Sequence, residues 1–324
     1  MIQASLLTTH SMSSPKKLPS GLWPVMITPF TETNEIDYAG LETLTQFYIE
    51  AGSNGLFANC LSSEMYQLTE TERLELVKGV LRASDGKVPV AATGTLSRDL
   101  SVNIDFIKKI HDTGVQAVVL ISSLIVLPDE DEGTFKTRLE KILAQTENIP
   151  LGLYECPVPY KRLLSPDLMK WLTSSGRFVY HKDTSCHSPS IQKKREATLG
   201  SNLLFMNADT ATALDSLEAG ADGLSPISAN FYPELYTYLM KEYQAHGKTD
   251  ALTQFHAWLT LMDRTTHTFY PYSAKWFLQQ RGLAIRTNTR IPTDTMPQVD
   301  HLRFKALMDS FKTLAETHDI PLVI

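Results

Sequence analysis

A (β/α)8 barrel of the TIM type, in the α/β class, followed by a helical region, is the fold this chain predicts. Three observations lead there. Eight short apolar segments, rich in β-branched and aromatic residues, recur between residues 22 and 226. Stretches with apolar residues at i, i+3 and i+4 separate most of them, the period of a helix with one buried face. Beyond about residue 230 the strand-like segments stop and helical patterns alone remain. Eight strands alternating with helices describe a closed barrel. A doubly wound open sheet shares that alternation, but no glycine-rich phosphate loop follows the first segment, which counts against its dinucleotide-binding form.

The strands are read in order at 22–28, 55–59, 88–93, 116–122, 150–155, 177–182, 202–207 and 222–226. A helix is predicted over 39–51 from Ala39, Leu41, Leu44, Phe47 and Tyr48, and another over 102–114 from Ile104, Ile107 and Ile110. Thr69 is placed as an N-cap ahead of Glu70 and Glu72, with an acidic first turn. Gly52, Gly114 and Gly220 each follow a helical pattern, where a left-handed residue closes a helix. Asp129 to Glu132 read as a helix start, since carboxylates are favourable there. Helical patterns fill 232–246, 250–267, 271–282 and 297–318, broken by Pro271, Pro292 and Pro297. The resulting division is a disordered tail at 1–20, a barrel at 21–245 and a helical region at 246–324.

Composition narrows the function classes. The chain has 324 residues, 43% hydrophobic and 20% charged, within the range of a globular protein. A formal net charge of -6 gives no basic footprint for nucleic acid or an anionic membrane surface. No apolar run approaches the roughly 18 residues of a membrane span. Residues 1–20 have neither the apolar core of a signal peptide nor the arginines of a transit peptide. Cys60, Cys156 and Cys186 stand far apart without a CxxC pair, so no disulfide framework is expected and a reducing, cytoplasmic compartment is.

In a barrel, catalytic groups come from the C-terminal ends of the strands. Those ends supply Leu61, Ser62 and Ser63 after the second strand, Tyr154 on the fifth, Lys182 on the sixth, Asn207 on the seventh and Ser225 on the eighth. The segment RFVYHKDTS (177–185) is the informative one, because a strand burying itself ends on a lysine. A buried ammonium is costly unless paired or neutralised. A lysine in an apolar site has its neutral amine favoured, and that amine attacks a ketone to form a Schiff base. A phenol on the neighbouring strand end can move the protons this requires. Taken singly, Lys182 also reads as a snorkelling side chain and Tyr154 as an amphipathic core residue.

The motifs ITPF (27–30), Asp37, a polar loop closing on Glu64, LYECP (153–157), YHKDTS (180–185) and SANFYPEL (228–235) arrive in one order. Lys275 after PYS and TRIP (289–292) follow. Over about residues 20–310 the chain resembles the dihydrodipicolinate synthase/N-acetylneuraminate lyase family of Schiff-base aldolases, as a divergent member. The resemblance implies that Lys182 forms an iminium with pyruvate or another 2-oxo acid and that Tyr154 relays protons. It places Ser62 on a hydroxyl that holds the substrate carboxylate, and Glu64 on the glutamate closing that loop. It further implies a second substrate that is an aldehyde, no cofactor or metal, and a homo-oligomer (a tetramer or dimer).

The departures bear on the substrate. The loop reads NCLSSE (59–64), with Leu61 where the synthase carries the first relay hydroxyl; a one-residue slip would seat Ser62 and Ser63 in both hydroxyl slots but misplace Glu64. Leu124 and Ile125 stand where the synthase has a tyrosine pair reaching into the neighbouring site. Pro159 replaces an arginine, with Lys161 and Arg162 close behind. The acidic pair of the sialic acid lyase falls on Thr210 and Ala211. Neither aspartate semialdehyde nor sialic acid is therefore expected as substrate. Three other readings accompany this one: a barrel that binds a 2-oxo acid without turnover, a dehydratase of a sugar-derived 2-oxo acid using the same lysine, and a metal-dependent enzyme built on the cysteines with His181 and His187. The aromatic and histidine cluster of His256, Trp258, His267, Tyr270, Tyr272 and Trp276 is assigned to packing or a subunit surface.

Overall fold

The computed structural model of the chain describes residues 17–324. Eight parallel strands form it: β1 (Gly21–Leu22), β2 (Leu56–Ala58), β3 (Val90–Thr93), β4 (Ala117–Ile121), β5 (Leu151–Tyr154), β6 (Phe178–Asp183), β7 (Leu204–Asn207) and β8 (Gly223–Leu224). They pair in the order β1-β8-β7-β6-β5-β4-β3-β2. A parallel bridge between Val25 and Phe57 joins the two ends and closes the barrel. The predicted first strand, 22–28, is thus divided, because Pro24 has no N–H to give the ladder. Gly21–Leu22 pairs with β8, and beyond Pro24 the chain turns its hydrogen bonds to Phe57.

Helices fill the crossovers: α1 (Tyr38–Glu50), α2 (Glu70–Ser84), α3 (Leu100–His111), the single turn α4 (Ser122–Ile125), α5 (Glu132–Gln145), α6 (Pro166–Ser174), α7 (Ser188–Thr198), α8 (Ala213–Glu218) and α9 (Pro233–His246). Their ends fall where the cap residues direct. Asp37 accepts from the Gly40 amide at the start of α1, and Thr69 with Glu72 forms a capping box on α2. Of the acidic run at 129–132, Asp131 caps α5 and Glu130 pairs with Arg138. Gly52, Gly114 and Gly220 all take positive φ, at 89°, 102° and 85°.

Two apolar cores result from the period-2 alternation of the strands. Val118, Leu120, Leu151 and Leu153 face the helices, whereas Ala117, Val119, Ile121, Val179, Tyr180 and Met206 fill the barrel with Trp23 and Phe57. At the β1–β8 seam there is no room for a side chain: a Cβ on Gly223 would lie 2.0 Å from the carbonyl oxygen of Gly21.

The helical region adds α10 (Asp250–Thr266), α11 (Tyr272–Arg281) and α12 (Gln298–Thr317). It shares the outer core with the barrel through Phe255, Phe277, Phe304 and Phe311. Arg281 ties it down from the inside, paired with Glu234 of α9 and stacked over the rings of Phe47 and Phe311. Of the expected tail, residues 1–16 lie outside the described residues. Leu18 is buried, and the Pro19 carbonyl accepts from the Trp23 indole at 3.1 Å, so this stretch is held against the barrel through Leu18. Among the described residues no helix is long and apolar enough to cross a membrane.

Candidate active site

The lysine at the end of β6 faces inward because of a local irregularity. Leu151 pairs with Phe178, but Gly152 pairs with Tyr180, so Val179 is an extra residue that resets the alternation. From there Tyr180 and Lys182 point into the barrel, and His181 and Asp183 point to the helix side. The same register sets Tyr154 directly beside Lys182.

Lys182 is 2% exposed, and its ammonium lies 5.1 Å from the centroid of the Tyr154 ring. Among the described residues no carboxylate comes within ion-pair distance of it. Burial pushes its pKa down to about 8, against weaker opposing effects of Cys60 and Cys156. The Tyr154 phenol is pushed well above its ordinary range, first by burial and then by the neighbouring thiols. Phe57 meets the Tyr154 ring edge-on at 5.8 Å and fixes its plane. The pair therefore rests as an amine poised to lose its proton beside a phenol that keeps its own.

Above them lies a cavity of about 470 Å³. The loop after β2 forms one wall. Leu61 and Ser62 line it; Ser63 does not, since its hydroxyl donates to the Met26 carbonyl at 2.6 Å and accepts from the Cys60 amide. Glu64 stands in the left-handed region at φ 58°, which costs a non-glycine residue about 1 kcal/mol or more. Its carboxylate is held by Lys275 at 2.8 Å and by the amides of Arg290 and Ile291 at 2.6 and 2.9 Å. Arg290 in turn grips Glu72 of α2 with both guanidinium arms. The late motifs of the helical region thus lock the loop that walls the cavity.

Behind the strand ends sits a buried ionic cluster. Lys194 of α7 donates to both Glu155 and Asp183, the residues that follow Tyr154 and Lys182. Glu155 also accepts from the amides of Leu164 and Thr184, and Asp183 from the amide and hydroxyl of Ser185. Burial opposes ionisation of Asp183, but His181 and Lys194 hold its carboxyl well below the usual range. Glu155, His181 and Asp183 lie close enough together to suit a metal ion. The Lys194 ammonium already supplies a cation to the two carboxylates. No cysteine belongs to any such group among the described residues, so the metal centre considered on Cys60, Cys156, Cys186, His181 and His187 is not assembled.

The cavity mouth is polar. Lys161 reaches across to the Thr184 carbonyl at 2.7 Å, while Arg162 is committed to the Glu130 carbonyl. Asp209 and, from α10, Asp263 and His267 complete the rim. Asp263 accepts from the Thr210 and Ser228 hydroxyls at 2.7 and 2.5 Å and lies 3.1 Å from His267. Tyr270 and Pro271, between α10 and α11, also line the cavity.

The predicted site residues divide accordingly. Lys182, Tyr154, Leu61 and Ser62 meet at one cavity. Asn207 does not line it: its side chain binds the Asp209 backbone and the Thr212 hydroxyl and shapes the loop after β7. Ser225 donates to the Trp23 carbonyl at 2.7 Å, sealing the β8 end of the barrel. The assignment of the aromatic cluster to packing or a subunit surface is corrected for Tyr270 and His267, which face the cavity, and holds for Trp276, packed on Phe304. Asp263 was not singled out from sequence, because strand ends do not include the last turn of a late helix.

Comparison with known proteins agrees with this fold. The sequence matches the family described as the Dihydrodipicolinate synthetase family over residues 18–323. A 4-hydroxy-tetrahydrodipicolinate synthase of Methanococcus maripaludis is 26% identical over 269 residues, covering 82% of this chain and 86% of that protein. Among solved structures, YagE, a prophage protein of the dihydrodipicolinic acid synthase family from E. coli K12 determined with pyruvate, superposes with a TM-score of 0.81 at 21% identity, covering 90% of this chain and 98% of that one. A monomeric dihydrodipicolinate synthase variant superposes with a TM-score of 0.81 at 18% identity, covering 95% and 99%.

Proposed function

The chain belongs to the Dihydrodipicolinate synthetase family, whose members are lyases of the aldolase type, and from that premise we propose that it is a Schiff-base-forming lyase acting on pyruvate or a related 2-oxo acid. One observation carries the reading: Lys182 is buried without a counter-ion, in register with Tyr154, at the floor of a cavity. An ammonium kept there purely for stability would have a partner, as Lys194 and Lys275 do.

The chemistry follows from the two protonation states. With a pKa near 8, roughly a tenth of Lys182 is neutral amine at neutral pH, against well under a thousandth for an ordinary lysine. The amine adds to the C2 carbonyl to give a carbinolamine. Tyr154 passes a proton to the departing hydroxyl, which leaves as water, and an iminium and a phenolate remain. That phenolate is a strong base and takes a proton from C3, leaving an enamine and restoring the phenol. The enamine adds to an aldehyde in the condensation direction, and the new alkoxide takes the Tyr154 proton. Water then adds to the restored iminium, giving its proton back to the phenolate, and the carbinolamine collapses to free the product and the amine; cleavage runs the same steps in reverse. The lysine itself is the electron sink.

The aldehyde is best read from the rim. Asp209 and Asp263 are hydrogen-bond acceptors, Lys161 is drawn to the Thr184 carbonyl, and among the described residues no arginine lines the cavity. That arrangement favours a hydroxylated, uncharged aldehyde over an anionic one. We retain a homo-oligomer, tetramer or dimer, as the expected assembly, measurable by sedimentation.

Borohydride trapping tests the reading. Incubation with pyruvate and reduction, followed by peptide mass mapping, should place the reduced adduct on Lys182, and a Lys182→Ala protein should take up none. Failure to trap pyruvate or any of a panel of 2-oxo acids, with the protein folded, would overturn it. Trapping without turnover on any aldehyde would leave a barrel that binds only, and loss of water from a sugar-derived 2-oxo acid would make it a dehydratase.

A further inference from the structure

We propose that Tyr270, contributed by the helical region of the same chain, anchors the carboxylate of the 2-oxo acid together with Ser62. This deepens the Schiff-base reading above and rests on it.

The argument is one of donors. A carboxylate brought to the floor of an apolar cavity must be hydrogen-bonded or its burial is prohibitive. Val25, Leu61, Ile227 and Ile291 offer it nothing, and no arginine lines the cavity. The Thr184 hydroxyl is spent on the Glu155 carbonyl, and Lys161, at the mouth, is drawn to the Thr184 carbonyl. Ser62 is one hydroxyl facing that space. Tyr270 is the other phenol there besides Tyr154.

The direction of the Tyr270 proton is set by a neighbour. Tyr48, fully buried on α1, donates its hydroxyl to Oδ1 of Asn230. Nδ2 of Asn230 donates to the Val25 carbonyl at 2.9 Å and to the Ile227 carbonyl at 3.0 Å, so the amide cannot be the other way round. The same Nδ2 lies 2.9 Å from the Tyr270 hydroxyl, its two N–H being shared among three acceptors; it has no lone pair to offer, so that hydroxyl accepts. Its own proton is left for another partner, and Ser62 and the cavity are what it faces.

The electrostatics agree. Burial above all, with Cys60 and Glu64 nearby, pushes the Tyr270 phenol well above its ordinary range, against the effect of Ser62. A group that stays protonated is a donor to an anion and a poor base. The fold supplies the placement: Phe269, at φ 55°, turns the chain between α10 and α11, and the Glu64–Lys275 pair fastens α11 to the loop bearing Ser62.

The test compares a charged ketone with a neutral one. Half-saturating concentrations for borohydride trapping are measured with pyruvate and with methyl pyruvate, in wild-type protein, Tyr270→Phe and Ser62→Ala. A hydrogen bond to a charged group corresponds to roughly a ten- to hundredfold change in affinity. Tyr270→Phe should therefore raise the pyruvate value by about that factor and leave the methyl pyruvate value near wild type, and Ser62→Ala should do likewise. A purely structural role would shift both ketones together, and that result overturns the proposal, as does an unchanged pyruvate value. Should Tyr270→Phe not fold, Ser62→Ala and Asn230→Asp carry the comparison. In Asn230→Asp the amide donor to Tyr270 becomes an acceptor that draws the phenol proton away, so pyruvate selectivity should fall in the folded protein and its persistence overturns the proposal. Wild-type protein that traps neither ketone overturns the Schiff-base reading itself, whereas wild-type trapping with unaltered variants overturns only the role of Tyr270.

Discussion

Lys182 and Lys275 are both withdrawn from water, and burial pushes both down to about 8, yet they sit in opposite surroundings. Lys275, at the start of α11, has Glu64 at 2.8 Å and the Asn288 carbonyl as a second acceptor. Lys182, at the end of β6, has the face of a phenol and two thiols. A third lysine sharpens the contrast. Lys194 is as buried as either, but Glu155 and Asp183 outweigh its burial and raise its pKa. The lesson is that burial alone does not make a lysine chemical. What distinguishes Lys182 is the missing counter-ion, combined with a cavity on its open side.

Substitution separates these roles, and the largest expected effect is at the unpaired site. Lys182→Met should abolish the trapped adduct completely while leaving stability unchanged or raised, since it removes a charge that has no partner; calorimetry alongside trapping checks both. Lys194→Met should do the reverse. It strands two buried carboxylates, and breaking such a cluster from one side costs about 3–5 kcal/mol in denaturant unfolding. Equal stability losses for the two variants would erase the distinction. Lys275→Met should cost less than Lys194→Met, because Glu64 keeps the amides of Arg290 and Ile291.

The smallest effect is on pH dependence. The folded pKa of Lys182 lies near 8, below its unfolded value near 10.5, so between those values the unfolded chain binds more protons. The destabilisation from Lys182 is thus complete below about pH 8 and is relieved as pH rises toward 10.5. Wild-type stability should gain on that of Lys182→Met across this window. Initial rates of imine formation, which follow the folded pKa alone, should rise as pH climbs toward about 8 and level off above it.

Much of this was legible in the sequence, for stated reasons. Hydrophobic period and glycine caps place most of the strands and the late helices to within a few residues, and the VYHK segment draws the eye because a lysine in a buried strand is costly unless paired or neutralised. Parity was the unused signal at Asn207. Its ladder partner is Asp183, and Met206 pairs with the inward Lys182, so Asn207 has to face away from the barrel. Ser63 was beyond reach of such counting, since the tight turn Leu61–Ser63 has no strand alternation. Tyr270 and Asp263 were hidden for a different reason. They enter the site from α10 and the turn after it, and only the tertiary docking of that region, through Glu64, Lys275 and Arg281, brings them to the cavity.

The most direct test of the central claim needs no knowledge of the aldehyde. An iminium on Lys182 makes the C3 protons of pyruvate exchangeable, so pyruvate in D2O should lose its methyl proton signal when the wild-type enzyme is added. Lys182→Met should leave that signal untouched, and Tyr154→Phe should slow its loss by roughly 10²–10⁴-fold, the usual worth of a positioned acid–base group. Exchange that persists at the wild-type rate in folded Lys182→Met protein would contradict the account.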